Sequence, residues 1–250
     1  MTITFETKVW EKDWRIILKS GRLEKTIDRC HYPFDKKVIF INNVANVQEV
    51  CRGAERLVAK SVIDNYIIVD EFAQKALDFF ELSKESLGRG YYYSIAELVS
   101  IYLCSTKYLL HFSGDSLPES NSRNFWVNDL IGILDENPNI VVSNLTWNRK
   151  YNEAANESFK EIGNFYISYG FSDQMYLIRT SDFKNKIYNE TNVKSNHYPA
   201  YGGELFEKRV HSWMQNQNKY RATYKNMSYK HRNFSKKPFV RKLNEWIDWR

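Results

Sequence analysis

The segment Cys104–Ser116, CSTKYLLHFSGDS, holds the residues best suited to chemistry. Its apolar run Tyr108-Leu109-Leu110-His111-Phe112 is expected to form a buried strand that ends in a small, acidic tip, Ser113-Gly114-Asp115-Ser116. In an open α/β sheet, ligands collect at that end of the strands. An Asp there can hold a divalent cation against a diphosphate, and the glycine lets a phosphate approach the main chain. An ordinary Gly-Asp turn is spelled the same way, so the surrounding elements must decide between the two.

Those elements alternate. Ile3–Val9 alternates polar and apolar residues, Trp14–Cys30 is expected to be helical, and Lys37–Val44 reads as a strand. Val47, Val50, Cys51, Ala54, Leu57 and Val58 fall at helical spacing. A strand over Asn65–Val69, a helix over Phe72–Leu82 and a buried helix over Ser94–Cys104 lead to the strand before the tip. This alternation predicts a sheet rich in parallel pairs, with helices on its faces. The second half is less regular, with a helix over Asn128–Glu136, strands over Ile140–Ser143 and Gln174–Arg179, and a loop from Tyr198 to Gly203 leading into a helix over Glu204–Met214.

The 250 residues are enough for one substantial core, and 43% hydrophobic with 26% charged residues is the balance of a water-soluble globular chain. No apolar run approaches a membrane span, and the start Met1-Thr2-Ile3-Thr4-Phe5 lacks the basic opening of a signal peptide, so a cytoplasmic protein is expected. Cys30, Cys51 and Cys104 lie far apart without metal spacing and read as free thiols. The net charge of +6 is uneven: Lys219–Arg250 carries ten Lys and Arg against Glu245 and Asp248, leaving the rest slightly acidic. A basic tail of this kind can face phosphates, a membrane surface or nucleic acid.

Counting back without gaps from the tip, Ala96, Ile101 and Cys104 occupy small and apolar positions of the preceding helix, Tyr108 and Leu109 lie on the strand, and Asp115 closes the tip. On these residues the chain resembles nucleotide-sugar-dependent glycosyltransferases of the GT-A fold, nearest the family-2-like group, whose members carry an Ala-Arg-Asn-x-Gly-Ile-x-x-Ala helix, a strand and an Asp-x-Asp tip. Phe5-Glu6-Thr7-Lys8, Gly170-Phe171-Ser172-Asp173-Gln174-Met175 and Tyr198–Val210 resemble bacterial surface-polysaccharide transferases of that group. The departures are Glu97-Leu98 for the Arg-Asn pair, Ser113 for the first Asp of the tip, and Asn42-Asn43 where relatives often have Asp-Asp.

The resemblance implies an open, mostly parallel α/β sheet of GT-A type flanked by helices. The domain would cover residues 1–232, with a nucleotide-sugar half (1–116) and an acceptor half (117–232), followed by a basic amphipathic extension (233–250). It implies transfer of a sugar from a UDP- or GDP-sugar to a glycan or lipid-linked acceptor, inverting through a Glu base. Mg²⁺ or Mn²⁺ is the expected cofactor, with Asp115 and the late His231 as its ligands, although the replacement at Ser113 weakens that expectation. Direct neutralisation of the leaving group by Lys230 and Arg232 is the alternative, and His231 has the alternative reading of a solvated residue in a basic tail. Thr7, Asn42, Asn43 and Asp70 lie at strand ends expected to converge on the donor, though Asn and Asp also serve as plain turn formers. For the base, Glu207 is preferred to Glu204; two such residues three apart share one face of a helix, and both are also ordinary end charges. Asp173 and Tyr198 are expected on the acceptor side, and Trp126 and Trp147 either stack on sugars or belong to the core.

Two other functions fit the sequence. Tyr220, Tyr224, Tyr229 and Phe234 are interleaved with basic residues, as in nucleic-acid-binding segments, although the rest of the chain argues against it. A catalytically inactive GT-A protein kept as a partner is the other. Residues 236–250 place Phe239, Val240, Leu243, Trp246 and Ile247 on one helical face among basic residues, suited to an anionic membrane surface, to the protein's own core or to a second subunit.

Overall fold

The computed structural model describes residues 2–120, 125–198 and 203–234. The amphipathic segment 236–250 and residues 199–202 of the loop before Glu204 lie outside the described residues.

Among the described residues ten strands form one sheet: β1 (Ile3–Val9), β2 (Lys36–Ile41), β3 (Asn65–Ile68), β4 (Tyr108–Phe112), β5 (Ser116–Pro118), β6 (Ile140–Trp147), β7 (Lys160–Ile162), β8 (Phe165–Ser168), β9 (Met175–Arg179) and β10 (Tyr220–His231). Their order is β3-β2-β1-β4-β9-β6-β10-β8-β7, with β5 paired to β10 off that path. The pairs β3-β2, β2-β1 and β1-β4 are parallel. β9 runs antiparallel between β4 and β6, and β10 is parallel to β6. The sheet is thus mixed, with a wholly parallel first half and most of its strands pointing one way.

Side chains alternate between the two faces, and each face builds its own core. Ile3, Phe5, Leu110, Phe112, Met175 and Leu177 pack with the helices Trp14–Lys19, Val47–Ala59 and Trp126–Glu136. Phe40, Leu109, Tyr176 and Ile178 pack with Ala73–Phe80, Tyr91–Leu103 and Phe206–Asn216 on the other. The Asn46 side chain caps Val47–Ala59 by accepting from Glu49 N at 3.0 Å.

The structure revises several expected boundaries. The helix expected over Trp14–Cys30 is two, Trp14–Lys19 and Arg22–Asp28, broken where Gly21 adopts φ 78°. The strand expected to reach Val44 ends at Ile41, because Asn43 turns the chain at φ 49°. Thr7, Lys8 and Val9 are the last three residues of β1. Glu204 precedes the helix it was expected to open, which starts at Phe206. Tyr220–His231, the first part of the basic tail, is a twelve-residue strand inside the sheet, with Tyr224 and Tyr229 buried. Those two rings are therefore core residues and not stacking platforms for bases.

Candidate active site

The tip after β4 is stitched to the end of β10. β5 pairs with β10 in the register Ser116↔His231, Leu117↔Lys230 and Pro118↔Tyr229, and Arg232 N donates to the Asp115 carbonyl at 3.3 Å. This brings His231 Nε2 to 3.3 Å from Asp115 Oδ2, each side chain 21% exposed. Ser113, in place of a second carboxylate, donates its hydroxyl to Asp115 Oδ1 at 2.9 Å and also meets Ser116 Oγ at 2.8 Å. Burial alone would raise the Asp115 carboxyl, but His231 and the Ser113 hydroxyl outweigh it and hold the group below its usual value.

Gly114 packs where no side chain fits easily. A Cβ there would lie 2.0 Å from Ile17 Cδ1 and 3.0 Å from Ile17 Cγ1. Arg22 Nε donates to the Gly114 carbonyl at 2.9 Å. Near the tip is a second, buried carboxyl, Asp13, which accepts from Trp10 N at 2.8 Å. Burial, with the charge of Asp115 added, pushes Asp13 up to about 8.

The other donor candidates are distributed unevenly. Thr7 is buried and donates its hydroxyl to the Phe112 carbonyl at 2.7 Å, so it ties β1 to β4 rather than reaching outward. Asn42 donates its amide to the Tyr92 carbonyl at 2.9 Å, joining the end of β2 to the start of the helix Tyr91–Leu103. Asn43 and Asp70 are exposed at the ends of β2 and β3. Lys230 is half-buried and Arg232 exposed, both at the end of β10 beside Asp115.

Because β9 runs antiparallel to β4, with Phe112 opposite Met175, the loop before β9 lies beside the tip after β4. Ser113 N donates to the Gln174 carbonyl at 2.8 Å and Tyr229 Oη to Gln174 Oε1 at 3.1 Å. In that loop Asp173 N donates to Glu207 Oε1 at 2.7 Å, so the first turn of Phe206–Asn216 brings its carboxylate to the same end of the sheet. Burial raises both carboxyls. The Glu207 charge drives Asp173 further, well above the usual range, whereas hydrogen bonds from Asp173 and Ser172 restrain the rise of Glu207. The pair therefore titrates jointly.

Glu204 is engaged elsewhere, its Oε1 2.7 Å from Lys208 Nζ. Tyr198 donates its hydroxyl to the Phe171 carbonyl at 2.7 Å and so braces the loop that carries Asp173. Trp126 is fully buried and donates Nε1 to the Arg29 carbonyl at 3.3 Å, which makes it a core residue. Trp147 is half-buried, with the Arg221 guanidinium 5.4 Å from its ring.

A buried polar cluster lies behind the pair and was not foreseen as a group. The registers Glu6↔His111 and His111↔Tyr176 place three side chains in one row across β1, β4 and β9. Lys8 Nζ reaches Glu6 Oε1 at 2.8 Å, His111 Nδ1 at 3.1 Å and Glu97 Oε1 at 3.3 Å. His111 Nδ1 is 2.9 Å from Glu6 Oε1, and its ring stacks 4.7 Å from that of Tyr176. Burial opposes ionisation of Glu6, but Lys8 and His111 prevail and bring it down to about 2. The available signal was two polar residues at interior positions of apolar strands, Glu6 in ITFETKV and His111 in YLLHF, together with Glu97 on an otherwise apolar helix.

Asp115 and His231 offer one carboxylate oxygen and one imidazole nitrogen to a cation. Among the described residues no group of three or more His, Cys, Asp or Glu could hold an ion. Such a pair fits Mg²⁺ or Mn²⁺, which take one or two protein ligands and complete their shell with substrate phosphates and water. Elsewhere, a cavity of about 260 Å³ opens at the opposite end of the parallel strands, lined by Lys36, Asp64, Ser100 and Leu109.

No protein-family model and no curated protein sequence matches the chain. Solved structures do. GalNAc-T7 with UDP, GalNAc and Mn²⁺ aligns with a TM-score of 0.55 at 9% identity, over 92% of this chain and 44% of that one. Glucosyl-3-phosphoglycerate synthase from Mycobacterium tuberculosis, in complex with Mg²⁺ and UDP, aligns at 0.49 with 13% identity, over 97% of this chain and 74% of that one. S. aureus TarS 1-349 aligns at 0.47 with 9% identity, over 92% and 60%. At such identities the likeness is one of fold, carried by the first of the three, and the fold is GT-A.

Proposed function

We propose that this chain is a glycosyltransferase that moves a sugar from a nucleoside-diphosphate donor to a hydroxyl of a glycan or lipid-linked acceptor, with inversion at the transferred carbon, in surface-polysaccharide synthesis on the cytoplasmic side of a membrane. The observation that carries this reading is the Asp115 carboxylate at the end of β4, oriented by Ser113 and met by His231 from the far half of the chain. Asp115 and His231 would hold Mg²⁺ or Mn²⁺ against the donor diphosphate. The ion, when bound, supplies positive charge to the departing nucleoside diphosphate. Lys230 and Arg232 stand at the same strand end to add to it. Asn42, Asn43 and Asp70 would face the nucleoside.

Glu207 is the proposed base. Its carboxylate takes the proton of the acceptor hydroxyl as that oxygen bonds to the transferred carbon, while the bond to the diphosphate oxygen breaks on the opposite face. A carboxylate held above its usual pKa by burial is a stronger base than one in water. Glu204, paired with Lys208 and outside the helix, is not assigned this role.

Thermal stabilisation by a panel of UDP- and GDP-sugars, with and without Mn²⁺, followed by donor hydrolysis, tests the reading. Metal-dependent stabilisation with hydrolysis supports it. Stabilisation without any turnover indicates an inactive GT-A partner, and absence of stabilisation by every donor overturns donor binding altogether.

A further inference from the structure

We propose that His111 is a positioning residue for Glu207, acting through the main chain of Asp173; this rests on the assignment of Glu207 as the base. His111 Nε2 donates to the Asp173 carbonyl at 2.7 Å, and the Asp173 N–H donates to Glu207 Oε1 at 2.7 Å. The peptide groups on both sides of residue 173 are thus fixed, one by a ring inside the sheet and the other to the carboxylate it aims. A carbonyl can only accept, so Nε2 must carry a hydrogen, and Nδ1 is the atom turned toward Glu6 and Lys8.

The ring has little freedom. His111 is 1% exposed, Tyr176 stacks on it, and Nδ1 faces a carboxylate oxygen that is itself paired with Lys8. Lys8 in turn reaches Glu97 on the helix Tyr91–Leu103. The neighbouring strands and a covering helix therefore set the direction of one imidazole N–H, and that N–H holds the Asp173 carbonyl. Catalytic geometry tolerates errors of only about 0.5 Å, which is the scale on which such a support acts.

The Asp173 amide proton reports on this without any substrate. In the ¹⁵N–¹H spectrum of the deuterated full chain, a donor to a carboxylate should resonate downfield, and Glu207→Gln should move it upfield. His111→Leu should move it upfield as well, and His111→Gln, which restores an N–H donor, should return it toward the wild-type position. An Asp173 amide unmoved in a folded His111→Leu overturns the proposal; if that variant does not fold, His111→Asn takes its place, with an unmoved amide counting equally against it. With the best donor found in the nucleotide-sugar panel, kcat should fall about tenfold to a hundredfold in His111→Leu at unchanged donor KM, and recover in His111→Gln. A rise in donor KM at unchanged kcat also overturns it. Full turnover in Glu207→Gln removes the base assignment, whereas the amide shift still decides whether His111 holds the loop.

Discussion

His231 Nε2 lies 3.3 Å from Asp115 Oδ2, although one residue closes the first half of the sheet and the other ends its last strand. The short β5 explains the meeting, because its antiparallel pairing with β10 sets Ser116 opposite His231. A substitution at either residue therefore acts on the same side-chain pair.

Asp115→Ala should abolish the Mn²⁺-dependent part of stabilisation by UDP or GDP and lower turnover by about a hundredfold or more, since the charge growing on the leaving group loses its partner. His231→Ala should weaken the metal dependence in the same direction. Differential scanning fluorimetry with and without Mn²⁺ reads both. Equal nucleotide stabilisation in wild type and Asp115→Ala would take Asp115 out of the donor site.

The two glutamates should separate cleanly. Glu207→Gln is expected to reduce kcat by about 10²–10⁴ with donor affinity little changed, as a base acts in the transition state and not in donor binding. Glu204→Gln loses one half-exposed pair with Lys208 and should stay near wild type. Near-native kcat in Glu207→Gln would move the search for the base elsewhere.

The acid limb of kcat follows from the same pair. Glu207 must be ionised to accept a proton, so activity rises with pH through its titration, and burial places that limb above the ordinary value of 4.5. Asp173→Ala removes the side-chain hydrogen bond that lowers the Glu207 carboxyl while keeping the main-chain N–H bond, and should shift the limb to higher pH. A limb at an ordinary glutamate value in wild type would mean that Glu207 is not the titrating group.

The sequence shows the first half of the sheet because its strands and helices alternate with clear periods: YLLHF is apolar but for His111, and Val47–Val58 repeats at helical spacing. It hides β10 because Tyr220–His231 mixes Tyr with Lys, Arg and Asn, and its pairing with β6 is interrupted between Tyr224 and Ser228. Asp115 is legible as a small acidic tip after an apolar strand. The cluster of Glu6, Lys8, Glu97 and His111 is not, since its members are brought together only by cross-strand register and a covering helix, neither of which has a local signature.

Gly114 gives a test of packing beneath the tip. In Gly114→Ala the new Cβ would stand 2.0 Å from Ile17 Cδ1, and Ile17 is 1% exposed, so it has little room to withdraw. A loss of about 1–3 kcal/mol is expected from such overpacking. Adding Ile17→Val, which deletes that methyl group, should recover part of it even though Ile17→Val alone costs about 1 kcal/mol. Strict additivity in urea unfolding would show that the two side chains do not meet.

Asp13 makes the fold less stable as pH rises. Burial raises its carboxyl from 3.8 to about 8, so below about pH 4 both folded and unfolded chains hold the proton and there is no penalty. Between those values the folded chain keeps a proton that the unfolded chain has released, and stability falls until pH passes 8. Asp13→Asn keeps an oxygen to accept from Trp10 N and has no proton to lose. Measured in EDTA, its melting temperature should match wild type near pH 4 and exceed it by a margin that widens as the pH is raised to about 9. Parallel pH profiles for the two proteins would show instead that Asp13 ionises freely in the fold.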